Sequence, residues 1–242
     1  MDYPVAVVIC AAGASSRMDG IKKEFQKLDT GMSVLESSVR AFASISCVQS
    51  IVIAIPQDSE ADARHALSFG LMSARKPEIH FVTGGNTRRA SVYNALRALV
   101  PHNPRYVLIH DGARPWVSIS LIENIIKAVK KHDAVIPAIP VTETLKECDM
   151  PIWDMGQGLG DNISDLNTVF ISNHIKRANI GFAQTPQAFE FSQILSAHEK
   201  AAAVEDEEFY DDAEIWGKFR GNIAVIPGEE ENRKITFPKD LN

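Results

Sequence analysis

Apolar residues recur along this chain in two rhythms. Short unbroken runs alternate with stretches in which apolar positions return every three or four residues. Val5–Cys10 (VAVVIC) is the first unbroken run and reads as a buried strand. Ile51–Ile55, His80–Val82, Tyr106–Ile109 and Ala134–Ala138 read as further strands. Between them, Ser33–Ala43 places Val34, Leu35, Val39 and Phe42 on one side of a helix. Thr87–Val100 does the same with Val92, Leu96 and Leu99. Ser59–Leu67 and Ser118–Lys131 are also helical, the second starting at a serine and ending in lysines as capping and the helix dipole favour. Strands alternating with helices imply an α/β fold, a Rossmann-like, mostly parallel sheet covered on both faces. Ligands of such sheets sit at the carboxyl ends of the strands.

The alternation breaks after Pro140. Residues 141 to 180 hold polar turns, a glycine-rich piece and short alternating fragments such as NTVFIS, but no long amphipathic helix. A stretch of that length without its own core is unusual inside a compact domain. It reads as a projecting β arm that packs on something else, in a chain otherwise forming one domain over 1–242. The pattern resumes with helices near Phe189–Ala203 and Asp212–Lys218, and strands near Ile223–Ile226 and Lys234–Thr236. The acidic run VEDEEFYDD (204–212) reads as a solvated face.

Composition narrows the class. Of 242 residues, 45% are hydrophobic and 23% charged, and the formal net charge is −6. A general nucleic-acid binder needs a basic field, so that class is set aside, whereas a local cationic pocket for a small anion remains compatible. Cys10, Cys47 and Cys148 are widely spaced with no CxxC pair, which fits a reducing cytoplasm. Cys10 reads as a small core residue rather than a nucleophile. The first residues lack a basic segment and their apolar run is too short for a bilayer, so neither export nor membrane insertion is expected.

The chemistry concentrates in VVICAAGASSRMDGIKKEF (7–25). A loop rich in Ala, Gly and Ser after a parallel strand exposes backbone N–H groups that suit phosphate. Arg17 and Lys23 could then neutralise a polyphosphate, the alternative being a flexible loop with solvated cations. It is not a Walker loop, since GxxxxGK[ST] is absent, nor a GxGxxG fingerprint, whose positions fall on Gly13, Ser15 and Met18. HDGARP (110–115) follows a strand. There Asp111 suits Mg²⁺ and Arg114 an anion, or Asp111 simply caps a turn. In VTGGNTRRASV (82–92), Gly84 and Gly85 allow a flat ring to approach, or form an ordinary strand-to-helix turn with Asn86 at the helix start.

Together, AAGASSRM…KKEF, GGNTRRASV, HDGARP, PVTETLK, QTPQAF, DDAE and ENRKIT resemble, in order, the 2-C-methyl-D-erythritol 4-phosphate cytidylyltransferases, from about Val5 to Asp240. The resemblance implies a nucleotidyltransferase-type sheet and an enzyme of the non-mevalonate isoprenoid pathway. Its substrates would be CTP and the sugar-alcohol phosphate methylerythritol 4-phosphate, with Mg²⁺ as cofactor. It further implies that Ala11, Ala12, Gly13, Arg17 and Lys23 hold CTP, with Lys23 preferred over Lys22. Gly85, Asn86 and Ser91 meet the base. On the same resemblance Asp111 would hold Mg²⁺ and the substrate, supported by Arg114. Thr144, Arg177, Thr185 and Lys234 hold the sugar phosphate. In the family the arm crosses to a second subunit, which implies a homodimer. Asn86 stands where the family often has Asp, and Gly112 replaces a frequent Ala, an exchange expected to be sterically harmless. A ribitol 5-phosphate cytidylyltransferase and a non-enzymatic nucleotide-binding regulator on the same fold are the competing readings.

Overall fold

The computed structural model describes residues 3–13, 18, 21–73, 77–150, 169–204 and 207–241. Arg17 and residues 151–168 lie outside this set. The chain divides into two compact units, one of Met1–Ala138 with Ala183–Asn242, the other Ile139–Phe182.

In the first unit, β1 (Val5–Cys10), β2 (Val48–Ile55), β3 (Glu78–Thr83) and β4 (Tyr106–Asp111) alternate with α1 (Val34–Ala43), α2 (Glu60–His65), α3 (Phe69–Met72) and α4 (Arg88–Ala98). α5 (Ile119–His132) then leads into β5 (Ala134–Pro140). Ser33, Thr87 and Ser118 each accept a backbone N–H three residues on, capping α1, α4 and α5. β1 is flanked by β2 and β4, both parallel to it. Its alternate residues feed two cores. Val5, Val7 and Ile9 pack with Leu35, Phe42 and Ile125 from α1 and α5, while Ala6 and Val8 pack with Val92 and Leu96 of α4. A strand buried on both faces has to be apolar throughout, which is why VAVVIC carries no alternation.

The second unit contains β6 (Lys146–Cys148), paired antiparallel with β7 (Ile171–His174). β structure was the expectation for this stretch. Phe170, Ile171 and Phe182 are exposed there.

Three elements differ from the sequence reading. Residues expected to open a helix at Phe189 instead form β9 (Gln187–Glu190), preceded by a short strand, β8 (Gly181–Ala183), that pairs with β5. β9 inserts antiparallel between β4 and β5, with Phe189 opposite both Val107 and Ala134. The next helix, α6 (Phe191–Ala202), therefore starts two residues later, capped by Glu190 accepting from Gln193 N at 2.8 Å. α7 (Asp212–Phe219) and β10 (Ala224–Pro227) follow, and the full order is β10-β5-β9-β4-β1-β2-β3. Lys234–Thr236, expected as a strand, is not one. Ile235 instead donates its N–H to Ala113 O at 2.9 Å and is fully buried against Leu28 and Val34. Finally, the acidic run at 204–212 ends in a carboxylate, Asp212, with no exposure at all.

Phe189 is fully buried at the strand that joins the two halves of the sheet. Phe189→Ala is expected to lower the unfolding free energy by about 3–5 kcal/mol, read by denaturant titration.

Candidate active site

A cavity of about 470 Å³ opens where the carboxyl ends of β1 and β4 meet. This is the point at which strand order reverses, with β2 and β3 laid down on one side of β1 and β4 on the other. Ala12 and Gly13 enter the cavity from the end of β1, and Gly85, Asn86 and Thr87 from the turn between β3 and α4. Lys23, Glu24, Arg88, Asp111 and Lys234 form its charged wall, and Cys10 and Met18 also line it. Burial pushes the Cys10 thiol up to about 12, so it stays neutral and behaves as a core residue, as expected.

The turn is fixed from inside. Ser91 Oγ accepts from Gly85 N at 3.0 Å and donates to Thr87 O at 2.9 Å. A Cβ on Gly84 would meet Ala12 Cβ at 2.3 Å, and one on Gly85 would meet Ala90 Cβ at 2.4 Å. Gly84 thus lets this turn lie directly on the first loop, and Gly85 lets it fold back against the start of α4. Asn86 is exposed at the rim. Gly112 lies close against the end of β1. A Cβ there would lie 3.0 Å from Cys10 O and 3.3 Å from Ala11 Cβ, so alanine would require the β1 end to give way slightly. Ala11 itself is buried, its N–H bonded to Ala54 O at 2.8 Å.

Asp111 is the electrostatic centre. Its Oδ2 lies 2.9 Å from Lys234 Nζ and 3.6 Å from Arg114 Nε, and its Oδ1 lies 3.7 Å from Arg88 Nε. Burial alone would raise its pKa, but Lys234, Arg88 and Arg114 outweigh that and hold it well below the usual carboxylate range. Arg88 bridges to a second buried carboxylate, its Nη2 2.8 Å from Asp212 Oδ2. His198 Nε2 holds the other Asp212 oxygen at 3.1 Å. Arg114 does not face the cavity. It anchors the C-terminal segment through Nη1 to Asn232 O at 2.6 Å.

Thr185 sits behind Asp111. Its Oγ1 accepts from Asp111 N at 3.0 Å and meets His110 Nδ1 at 3.0 Å, while His110 Nε2 meets Arg114 O at 3.1 Å. A carbonyl can only accept, so His110 carries its proton on Nε2 and Thr185 donates to Nδ1. Lys23 Nζ donates to Ile235 O at 2.8 Å, tying the first loop to the C-terminal segment. Thr144 and Arg177 belong to the second unit, where both are exposed and Arg177 Nη1 donates to Thr142 O.

The model of the family described as IspD, 2-C-methyl-D-erythritol 4-phosphate cytidylyltransferase, matches residues 5–242. The chain belongs to this family. A bifunctional IspD/IspF enzyme of Bartonella henselae is 35% identical over 241 residues, which is 98% of this chain and 55% of that protein. The chain thus spans about half the length of the curated relatives it matches. Among solved structures, 4-diphosphocytidyl-2C-methyl-D-erythritol synthase from Anaerococcus prevotii superposes with a TM-score of 0.78 at 27% identity. That match covers all of this chain and 96% of the other. The Thermus thermophilus 2-C-methyl-D-erythritol 4-phosphate cytidylyltransferase gives 0.70 at 28% identity, over 97% and 94% of the two chains.

Three residues that shape this family member's site were not singled out from sequence: Arg88, Asp212 and His198. Arg88 and Asp212 lie inside recognised strings, TRRA and DDAE, whose charges could have been paired. Nothing in the sequence distinguishes His198 from the other positions of α6.

His110 is fully buried, and burial pulls its pKa from 6.5 down to about 4. Between those values the unfolded chain binds a proton that the folded chain refuses. Stability should therefore be complete above pH 6.5 and fall by on the order of 3 kcal/mol as pH drops to 4. Denaturant midpoints measured across that window should show the slope in the parent and lose most of it in His110→Asn.

Proposed function

We propose that the chain joins CTP and 2-C-methyl-D-erythritol 4-phosphate, releasing pyrophosphate and forming 4-diphosphocytidyl-2-C-methyl-D-erythritol for isoprenoid synthesis. The observation that carries this reading is the cavity itself. Lys23, Arg88 and Lys234 line it beside two buried carboxylates, Asp111 and Glu24, at the strand ends of a chain the family model matches over residues 5–242.

The chemistry follows from charge. A phosphomonoester is mostly dianionic near neutral pH, its second pKa being about 6, so its oxygen needs no general base. That oxygen attacks the α-phosphorus of CTP, the bond to the β-phosphate breaks, and pyrophosphate leaves with the electron pair. The obstacle is bringing a dianion to a polyanion, and fixed cations lower it. Lys23 is held from Ile235 O and Lys234 from Asp111, both pre-positioned in the cavity wall. Arg17 would add a further cation from the first loop. Ala12 and Gly13 supply N–H groups to phosphate, and Gly85, Asn86 and Ser91 form the platform for the base. The Asn86 side-chain oxygen can accept from the cytosine amino group.

The donor set fits Mg²⁺. Asp111 Oδ1 has Arg88 as its ion-pair partner at 3.7 Å, beyond hydrogen-bonding distance, which leaves that oxygen able to take an ion shared with substrate phosphates. When bound, Mg²⁺ supplies charge neutralisation and orients the departing pyrophosphate. Thr144 and Arg177 are assigned to the sugar phosphate, with Thr185 and Arg114 holding Asp111 in place for it. The exposed apolar side chains Phe170, Ile171 and Phe182 support a homodimer formed through the 141–180 arm. Three free cysteines, and no described helix long and apolar enough to cross a membrane, support a cytoplasmic setting.

Pyrophosphate release with Mg²⁺, crossing four nucleoside triphosphates with methylerythritol 4-phosphate and ribitol 5-phosphate, tests this. Turnover only with CTP and methylerythritol 4-phosphate is expected. Turnover with ribitol 5-phosphate instead would reassign the substrate, and CTP binding without turnover would make the chain a regulator. Lys23→Ala should lower kcat by about 10²–10³ with the fold retained by circular dichroism. Arg177→Ala should raise KM for the sugar phosphate far more than for CTP, as initial-rate kinetics would read.

A further inference from the structure

At the β3 edge of the sheet lies a second cluster that the cavity does not use. β3 is the edge strand, hydrogen-bonded to β2 on one side. Glu78 and His80 are two residues apart on it, so their side chains share a face. The turn Val100–His102, just after α4, brings His102 alongside. Glu78 Oε2 lies 3.6 Å from His80 Nε2 and 3.9 Å from His102 Nδ1, and the two imidazole centroids are 5.1 Å apart. One donor atom from each residue lies within 4.8 Å of the other two.

The two Glu78 separations are close to what one ion requires, and the imidazole nitrogens, within 4.8 Å of each other, would have to draw together. Bonds of about 2.0–2.1 Å in a tetrahedron put neighbouring donors roughly 3.4 Å apart. The Glu78 contacts exceed that by only a few tenths of an ångström. All three side chains are exposed, so small rotations can close the gap and an ion can enter from solvent. Two imidazoles and one carboxylate select zinc-like ions over Mg²⁺, which takes oxygen ligands. Two tilted imidazoles beside a glutamate need no ion to coexist. Yet a simple ion pair would engage one imidazole, and here a single carboxylate oxygen is shared between both.

We infer that Glu78, His80 and His102 form a site for a divalent transition-metal ion of the zinc type, with water completing the coordination. The ion would tie the exposed edge strand to the end of α4 and so cover a vulnerable sheet edge. Because it binds the folded chain, it would stabilise that state by linkage. The site is separate from Asp111 and independent of the transferase reading.

Calorimetric titration of the full chain with Zn²⁺, in excess Mg²⁺ to occupy the oxygen site, tests this. One equivalent should bind, and Zn²⁺ should raise the thermal midpoint. His80→Ala and His102→Ala should each weaken binding by about tenfold or more. The double variant should lose both the binding heat and the thermal shift. Both residues are exposed, so these variants should keep the parent circular dichroism and pyrophosphate release. No binding heat in the parent, or an unchanged Kd in the double variant, would overturn the assignment. Glu78→Gln supplies an independent check, since a site at this edge must also weaken there.

Discussion

Asp111 is a carboxylate kept almost entirely from water, and the site is organised around the cost of holding it there. An isolated buried carboxylate would protonate. Lys234, Arg88 and Arg114 prevent that, and each is delivered by a different part of the chain. Arg88 in turn is shared with Asp212, which His198 steadies from α6. The polar groups are thus bonded through one another, and a change at any of them reaches the rest. The excess of cations over carboxylates leaves the cavity wall suited to a polyanion despite the chain's overall negative charge.

The first half of the fold was legible because its rules are local. An unbroken apolar run such as VAVVIC has one reading when both faces of a sheet must be buried, and Ser33, Thr87 and Ser118 announce the helices they cap. β9 was hidden because QAFE is extended only by virtue of its neighbours. Gln187 looks like a surface residue, yet it is 1% exposed, bonded to Asp211 Oδ2 and to Ala213 N. Lys234–Thr236 looked like a strand because Ile235 is apolar, but its burial is against Leu28 and Val34 rather than in the sheet.

The site divides the same way. Positions that act through the backbone or sit at strand ends, such as Ala12, Gly85 and Asp111, could be placed from sequence order alone. Arg88 and Asp212 stood in recognised strings of opposite charge, but which charges pair, at 2.8 Å across 124 positions of sequence, shows only in the fold. Thr185 carries a subtler lesson. Its motif marked it for substrate, whereas its hydroxyl is engaged between Asp111 N and His110.

The late insertion of β9 has a consequence for how the molecule comes into being on the ribosome. β1 to β4 can associate while the chain is still short, since their pairings with one another all fall among residues 5–111. β4 and β5, however, are bridged only by a strand that begins at Gln187, and Asp111 waits for Lys234. Until then a nascent chain displays the open edge of β4 and a buried-type carboxylate without its closest cation. The cavity wall is therefore assembled only after residues 187–234 have been made, and chains that have passed β4 but not yet reached β9 are those most in need of protection from aggregation.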